Sequence, residues 1–445
     1  MRRLARWVAD RVVDHFEHGP DGPAIRESTP AELMRTLGGD PPQHPGDPLE
    51  AMQTLVDVVL ANMQHGDHPR YFARVPGPSS FTGVLGDWLG TGFNAISASW
   101  AGGSGPAAVE LVVLDWLRSL MGMGAETQGV LTSGGSLANL MGLKVAQRLH
   151  GPGVAYLSDQ THASIQRGLG AIGFRQSEIR VLPSDDGYRL GGAVVAKAIA
   201  DDRDAGLRPA FVVATAGATN TGAVDDLDEL GALCAAEDLW FHVDGAYGAP
   251  AALCDAGRLL LAGIERADSL VLDPHKWLFQ PYDIGCLLVQ RAHALEDTFA
   301  MTPEYLTDAS AARGEVDFRD RSLELSRRAR ALKLWLTVRT HGLARIGEAI
   351  EHGIALAEYA QRVIAADPRW ELVTPAQLGI VTFRLAGAGG EEQAARAHAL
   401  SRDGYAAVTS TRLRGRSVLR LCTINPRTSA EDISSTLECL AAARD

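Results

Sequence analysis

A chain of 445 residues, 46% hydrophobic and 22% charged, has the composition of an ordinary globular protein and the length for more than one lobe. Its net charge of −12 argues against a nucleic-acid partner, which needs a clustered basic face, while leaving room for a small anion in a local pocket. Five scattered cysteines without a CxxC pair fit a reduced, cytoplasmic setting, and no apolar run approaches a membrane-spanning length, so no membrane partner is expected.

The opening MRRLARWVADRVVDHF begins basic, but Asp10, Arg11 and Asp14 interrupt it, so it reads as an amphipathic helix rather than a signal peptide. Residues 1–75 read as helices broken by a Pro/Gly-rich joint, GGDPPQHPGDP, at 38–48. The close pairs His15/His18 and His65/His68 lack further ligands at a recognisable spacing, so no metal is expected there. Over residues 76–345 the apolar runs VAYLS, FVVATA, LWFHVD, SLVLD and CLLVQ alternate with helix-like stretches, which predicts a mostly parallel sheet covered on both faces. After the helical RARALKLWLTVRTHG the pattern changes. Helices at 350–365, 391–402 and 430–443 flank the strand-like IVTFRLA and SVLRLCTI, a smaller α+β lobe over 346–445.

In open α/β sheets ligands sit at the carboxyl ends of the strands. The residues following four of the runs are therefore candidates: SDQTH after VAYL, GATNTG after FVVATA, DGAYGA after LWFHV and DPHKW after SLVL. The segment TSGGSLANLMGLKVAQR (132–148) puts glycines and serines just before a helical pattern, either an anion site or a plain cap and turn. Taken singly, His162 reads as a structural histidine and Asp244 as a turn or helix cap. Lys276 is different, because a lysine among apolar runs is seldom buried without a purpose and a desolvated amine suits Schiff-base chemistry.

Asp244 in HVDGAY, Lys276 in DPHKW, the Gly-Gly-Ser helix start and His162 together resemble the pyridoxal-phosphate-dependent group II amino-acid decarboxylases, the family of the aromatic-amino-acid, histidine and glutamate enzymes. The resemblance runs from HPRYF (68–72) to VLRLCTINPRT (418–428). It implies an α/β fold of the fold-type-I transferase architecture, with a mostly parallel seven-stranded sheet in a large domain (76–345), a small α+β C-terminal domain (346–445) and a helical N-terminal dimerisation segment (1–75). It also implies pyridoxal 5'-phosphate as cofactor, an L-amino acid as substrate, and a homodimer with shared active sites. Lys276 would form the internal aldimine and Asp244 would pair with the pyridine nitrogen, keeping it protonated so that the ring accepts electrons. His162 would stack on one ring face and Ala246 pack against the other, while Gly135, Ser136 and Thr219 hold the phosphate and His275 helps to orient the lysine. The implied reaction is α-decarboxylation to an amine and carbon dioxide, with Cα protonated by a tyrosine in a P-x-Y-L context, here Tyr305 of TPEYL. A phenylalanine there would point to the oxidative aldehyde synthases; these, or other lyase or transaminase chemistry, are the alternative on the same fold. The polar stretch after Tyr305 suits a lid.

Three departures from the family pattern bear on the substrate and cofactor. Where the aromatic enzymes carry large aromatic residues, the pocket-facing positions here are Arg74 and Val75, and a second aromatic lent by the partner subunit falls near Ala98. Arg74 reads either as facing an acidic side chain or as a surface arginine. Asp273 stands where many relatives have asparagine near the phosphate; repulsion leads to the expectation that it turns away to accept backbone or side-chain donors, or that a proton or a cation intervenes if it faces the phosphate. Arg420 lies where such enzymes often place a carboxylate-binding arginine; the alternative for it is a structural salt bridge.

Overall fold

The strands VAYLS, PAFVVAT, WFHVD, SLVL and GCLLV are buried at every residue, which a sheet covered on both faces permits. They belong to a computed structural model that describes residues 1–301 and 314–442. The seven strands are β1 (Gln128–Thr132), β2 (Val154–Ser158), β3 (Ile179–Leu182), β4 (Pro209–Thr215), β5 (Trp240–Asp244), β6 (Ser269–Leu272) and β7 (Gly285–Val289), in the order β1-β7-β6-β5-β4-β2-β3. β7 runs antiparallel to both of its neighbours and the other pairings are parallel, so the mostly parallel seven-stranded sheet is as expected. β1 and β3 are not among the expected runs. β3 lies at the sheet edge with only one of its four residues buried, so IRVL lacks the continuous apolar signature of a central strand.

The described residues divide into two compact units. The second, over 77–357 and 376–380, contains the seven-stranded sheet. One buried ion pair ties several of its segments together. Glu110, on the helix Trp100–Leu120, and Arg327 are both fully covered, with Arg327 Nη2 donating to Glu110 Oε1 at 2.7 Å. The remaining valences are filled locally: Ser97 Oγ and Leu131 N donate to Glu110 at 2.7 and 3.0 Å, and Arg327 donates to the carbonyls of Ser97 and Leu131 at 2.7 and 2.5 Å. With both Glu110 oxygens and both terminal nitrogens of Arg327 engaged, and only Arg327 Nε left without a partner, the buried pair locks the loop before the helix, the helix and β1 into one arrangement.

The first unit takes in 1–76, 358–375 and residues from 381 onward. Its helices Arg2–His18, Pro30–Leu37 and Pro48–Thr54, and the π-helical turn Leu55–Leu60, bury none of their residues. Leu55 and Leu60 are more than half exposed and line, with Trp7, Val8, Val12 and Met52, an apolar cavity of about 740 Å³. His68 is a structural histidine, its Nε2 at 3.1 Å from the carbonyls of both Pro20 and Gly22. His15 does not act with His18 as a pair; its Nε2 meets Asp67 Oδ2 at 2.7 Å, and the ligand-type atoms of His15, His65 and Asp67 lie within 4.8 Å of one another. The C-terminal part adds a second sheet of β8 (Trp370–Gln377), β9 (Ile380–Leu385), β10 (Thr409–Leu413) and β11 (Arg416–Cys422), ordered β10-β11-β9-β8. The helix Ala430–Ala442 buries Ile433, Thr436, Leu437 and Leu440, the spacing of one helical face. Among the described residues no helix is long and apolar enough to cross a membrane.

The ion pair carries a stability prediction. Glu110→Ala strands a buried guanidinium and should cost about 3–5 kcal/mol in chemical denaturation, whereas replacing Glu110 and Arg327 together by methionine should recover most of that loss. A single-variant loss below about 1 kcal/mol would mean that water reaches Arg327.

Candidate active site

Parallel strands in register bring their carboxyl ends to one edge. Thr215 at the end of β4 pairs with Asp244 at the end of β5, which in turn pairs with Val271 of β6. A cavity of about 390 Å³ opens there, within the range of small-molecule sites. Its lining comes from segments following β1, β2, β4, β5 and β6: Gly135 and Ser136, His162, Thr219, Asp244 and Ala246, and His275 and Lys276. Every cofactor-binding residue expected from the sequence is thus in one lining. Arg74, Val75 and Arg420 belong to the first unit. There the exposed Arg74 lines a separate opening with Gln64 and Tyr71, and the buried Arg420 donates to the Arg74 carbonyl at 2.5 Å. Ala98 is buried in the second unit, its carbonyl accepting from Arg319 N at 2.8 Å. Tyr305 lies outside the described residues.

The loop carrying the lysine is clamped from both sides. Asp273 N donates to the Ala246 carbonyl at 3.0 Å, and Lys276 N donates back to the Asp273 carbonyl at 2.9 Å. Ile284 N donates to His275 Nδ1 at 3.1 Å, which places the ring proton of a neutral His275 on Nε2. Burial holds His275 below the usual histidine range, against the pull of Asp273. Trp277 is fully buried and stacks on Tyr247 with ring centroids 5.0 Å apart, closing the floor behind the lysine.

Lys276 keeps about a quarter of its side chain exposed, and its Nζ sits 3.0 Å from Asp273 Oδ2. Burial works to lower its pKa, but the Asp273 and Asp244 carboxylates outweigh burial and raise it above the usual lysine range. Asp273 does not turn away as expected. It is 1% exposed and lines the cavity, and its Oδ1 has no hydrogen-bond partner. Two glycines make the room: a Cβ on Gly135 would come within 2.7 Å of Asp273 Oδ2, and one on Gly285 within 2.8 Å of Oδ1. The Lys276 ammonium supplies the cation that lets the carboxylate stay.

Beneath the cavity runs a hydrogen-bond chain absent from the sequence reading. Asn139 Nδ2 donates to Asp244 Oδ2 at 2.9 Å and to Ser164 Oγ at 3.1 Å, so its Oδ1 must accept from His242 Nε2 at 3.0 Å. His242 Nδ1 then accepts from Ser269 Oγ at 2.7 Å, and Ser269 Oγ accepts from Trp240 Nε1 at 2.8 Å. At the other end Ser164 Oγ meets His162 Nδ1 at 2.8 Å. Burial pushes His242 down to about 4, so it stays neutral and the chain keeps this polarity. Asp244, receiving Asn139 on one oxygen and Ala246 N at 3.1 Å on the other, is held as an acceptor. The signals were faint but physical: His242 is two residues before Asp244 and so on the same face of β5, and Asn139 is one turn beyond Gly135.

The donor set fits a phosphorylated aldehyde with a basic ring nitrogen. The helix Gly135–His150 begins at the cavity, so its first-turn N–H groups, without intrahelical acceptors, are available to a phosphate. Gly134 holds φ +146°, which a side chain would strain, and a Cβ there would press on His275 Cε1 at 3.0 Å. Thr215 Oγ1, at the cavity wall, is buried without a hydrogen-bond partner. Pyridoxal phosphate would meet Lys276 at its aldehyde and Asp244 at its ring nitrogen. Asp273 sets a second carboxylate in this lining, beside Gly135.

Comparison with known proteins agrees. The model of the pyridoxal-dependent decarboxylase conserved domain matches residues 30–386. The chain is 42% identical to an aromatic-L-amino-acid decarboxylase of Bacillus atrophaeus, over 97% of this chain and 93% of that protein. It is 30% identical to a phenylacetaldehyde synthase of Arabidopsis thaliana, over 97% and 93%. The crystal structure of Oryza sativa TDC with PLP and tryptamine superposes with a TM-score of 0.93 at 29% identity, covering 99% of this chain and 96% of that one. With the lysine, the carboxylate and the helix start in one cavity, the chain belongs to the pyridoxal-dependent decarboxylase family, and it is a pyridoxal-phosphate-dependent amino-acid decarboxylase.

Proposed function

We propose that this protein converts an aromatic L-amino acid to the corresponding amine and carbon dioxide, with Lys276 as the residue that carries pyridoxal phosphate. The observation that carries the reading is the lysine amine and the Asn139-held Asp244 in the lining of one cavity. The aromatic substrate is supported by the 42% identity to an aromatic-L-amino-acid decarboxylase along nearly the whole chain. The cofactor supplies an aldehyde that an amine can hold covalently and a ring that takes up the electron pair left by departing carbon dioxide. Lys276 presents the amine. Asp244, fixed as an acceptor, holds a proton on the ring nitrogen. Ala246 and His162 bound the two ring faces, and His162 is steadied by Ser164. Gly135, Ser136 and Thr219 hold the phosphate, together with the Nε2–H of His275. Tyr305 returns a proton to the substrate Cα, a role resting on its TPEYL context.

We further assign the working form as a homodimer in the cytoplasm. Supporting the dimer are the first unit's N-terminal helices, which bury nothing of their own and expose Leu55 and Leu60; short helices of this kind need a covering surface. Supporting the compartment, all five cysteines are free thiols.

A panel of aromatic and acidic L-amino acids should yield amine from the aromatic members without oxygen uptake, and Tyr305→Phe should divert product from amine to aldehyde. Unchanged amine formation by that variant would remove Tyr305 from the mechanism. Asn139→Leu leaves His242 and Asp244 short of a partner and should weaken cofactor retention by about tenfold, in line with about 1–3 kcal/mol for an unsatisfied buried group; retention equal to the parent would show that Asp244 needs no support. Sedimentation at micromolar protein should give a two-chain species, and a single-chain species would refute the dimer.

A further inference from the structure

Asp273 places a carboxylate in a cavity built for a phosphate, and its surroundings indicate what it acts on. Its Oδ2 is 3.0 Å from Lys276 Nζ, within ion-pair contact, and 3.5 Å from His275 Nε2. Its Oδ1 has no hydrogen-bond partner and is wedged where Gly135 and Gly285 lack side chains. The helix start contributes only backbone at this point, since Gly134 and Gly135 carry no donors beyond their N–H groups. Among the described residues, Asp244 at the end of β5 and Tyr282 also bear on Lys276, Cys286 on β7 feels Asp273, and Asp283 and Lys333 reach His275. Among them no second lysine or arginine lies within ion-pair contact of Asp273, and burial holds His275 below the usual histidine range. The charge partner of Asp273 in the cofactor-free protein is therefore the lysine.

We propose that Asp273 is the counter-ion that keeps the Lys276 amine as an ammonium in the cofactor-free protein, and that it thereby sets how fast Lys276 captures an aldehyde. This rests on the assignment of Lys276 as the attachment residue. An ammonium has no lone pair with which to attack. It must first release one proton to solvent, after which the neutral nitrogen adds to the aldehyde carbon, a C=N bond forms and water leaves; nothing is oxidised or reduced. A carboxylate in contact with the ammonium stabilises the unreactive state, as does the more distant Asp244. Asparagine at this position would keep the shape and remove the charge. Asp273 is on this account a positioning residue for the lysine proton.

The test uses full-length protein freed of cofactor, mixed with pyridoxal phosphate or with pyridoxal, which lacks the phosphate. Capture is followed by absorbance and by borohydride trapping with mass analysis of the Lys276 peptide. Asp273→Asn should capture both aldehydes about tenfold faster at neutral pH, with the rise of rate with pH displaced to lower pH. Asp273→Ser, checked for folding by circular dichroism, should behave in the same way. Acceleration confined to pyridoxal phosphate would mean that Asp273 acts on the phosphate, and would overturn the counter-ion role. An unchanged rate and pH profile in both variants would overturn it as well. Trapping on a residue other than Lys276 would instead overturn the attachment assignment, and this proposal with it.

Discussion

A charged amine held among buried groups is tolerable only if opposite charge is fixed beside it, and the organisation of this protein follows from that constraint. Lys276 follows the end of a fully buried strand, where desolvation alone would favour the neutral amine. Asp273 and Asp244 reverse that tendency. Asp244 ends β5 and Asp273 follows β6, so the balance exists only because the sheet places the ends of β5 and β6 side by side.

The two carboxylates are handled differently. Asp244 is supported on both oxygens, by Asn139 and by the Ala246 N–H, and behind Asn139 stand His242, Ser269 and Trp240 in an unbroken sequence of donors and acceptors. Such a carboxylate has its direction fixed in advance, as pairing with a ring nitrogen requires. Asp273 has a single ionic partner and one unpartnered oxygen. A group left that way is sensitive to what enters the cavity. The same chain through Asn139 and Ser164 reaches His162, so the residues assigned to the ring nitrogen and to a ring face share one support.

The frame around the site relies on the same rule of paired burial. Glu110 and Arg327, both fully covered, hold β1 and its neighbouring helix, and β1 leads directly into the Gly134–Ser136 turn. The first unit is the reverse case: its N-terminal helices bury none of their residues, and Leu55 and Leu60 stand more than half exposed.

Much of this was legible in the residues alone. Continuous apolar runs such as FVVATA and SLVL, alternating with helix-like stretches, read as central strands of a doubly covered sheet, and the polar residues after them therefore fall at one edge; that much follows from local pattern and the hand of the connections. β3 escaped because an edge strand needs no continuous apolar run. Asn139 and His242 escaped because a buried polar residue declares itself only through its partners, which are distant in the chain. Asp273 shows the limit most clearly. Charge repulsion argued from sequence turns it away from the phosphate end, whereas the missing side chains of Gly135 and Gly285, brought together from separate elements, give it room, and Lys276 gives it a partner. Local chemistry thus pointed to the central strands, the residues at their ends and Lys276 as the candidate amine. Only the tertiary structure decided which charges face one another, because burial and distance, which set the sign of an electrostatic interaction's net effect, are properties of the folded chain.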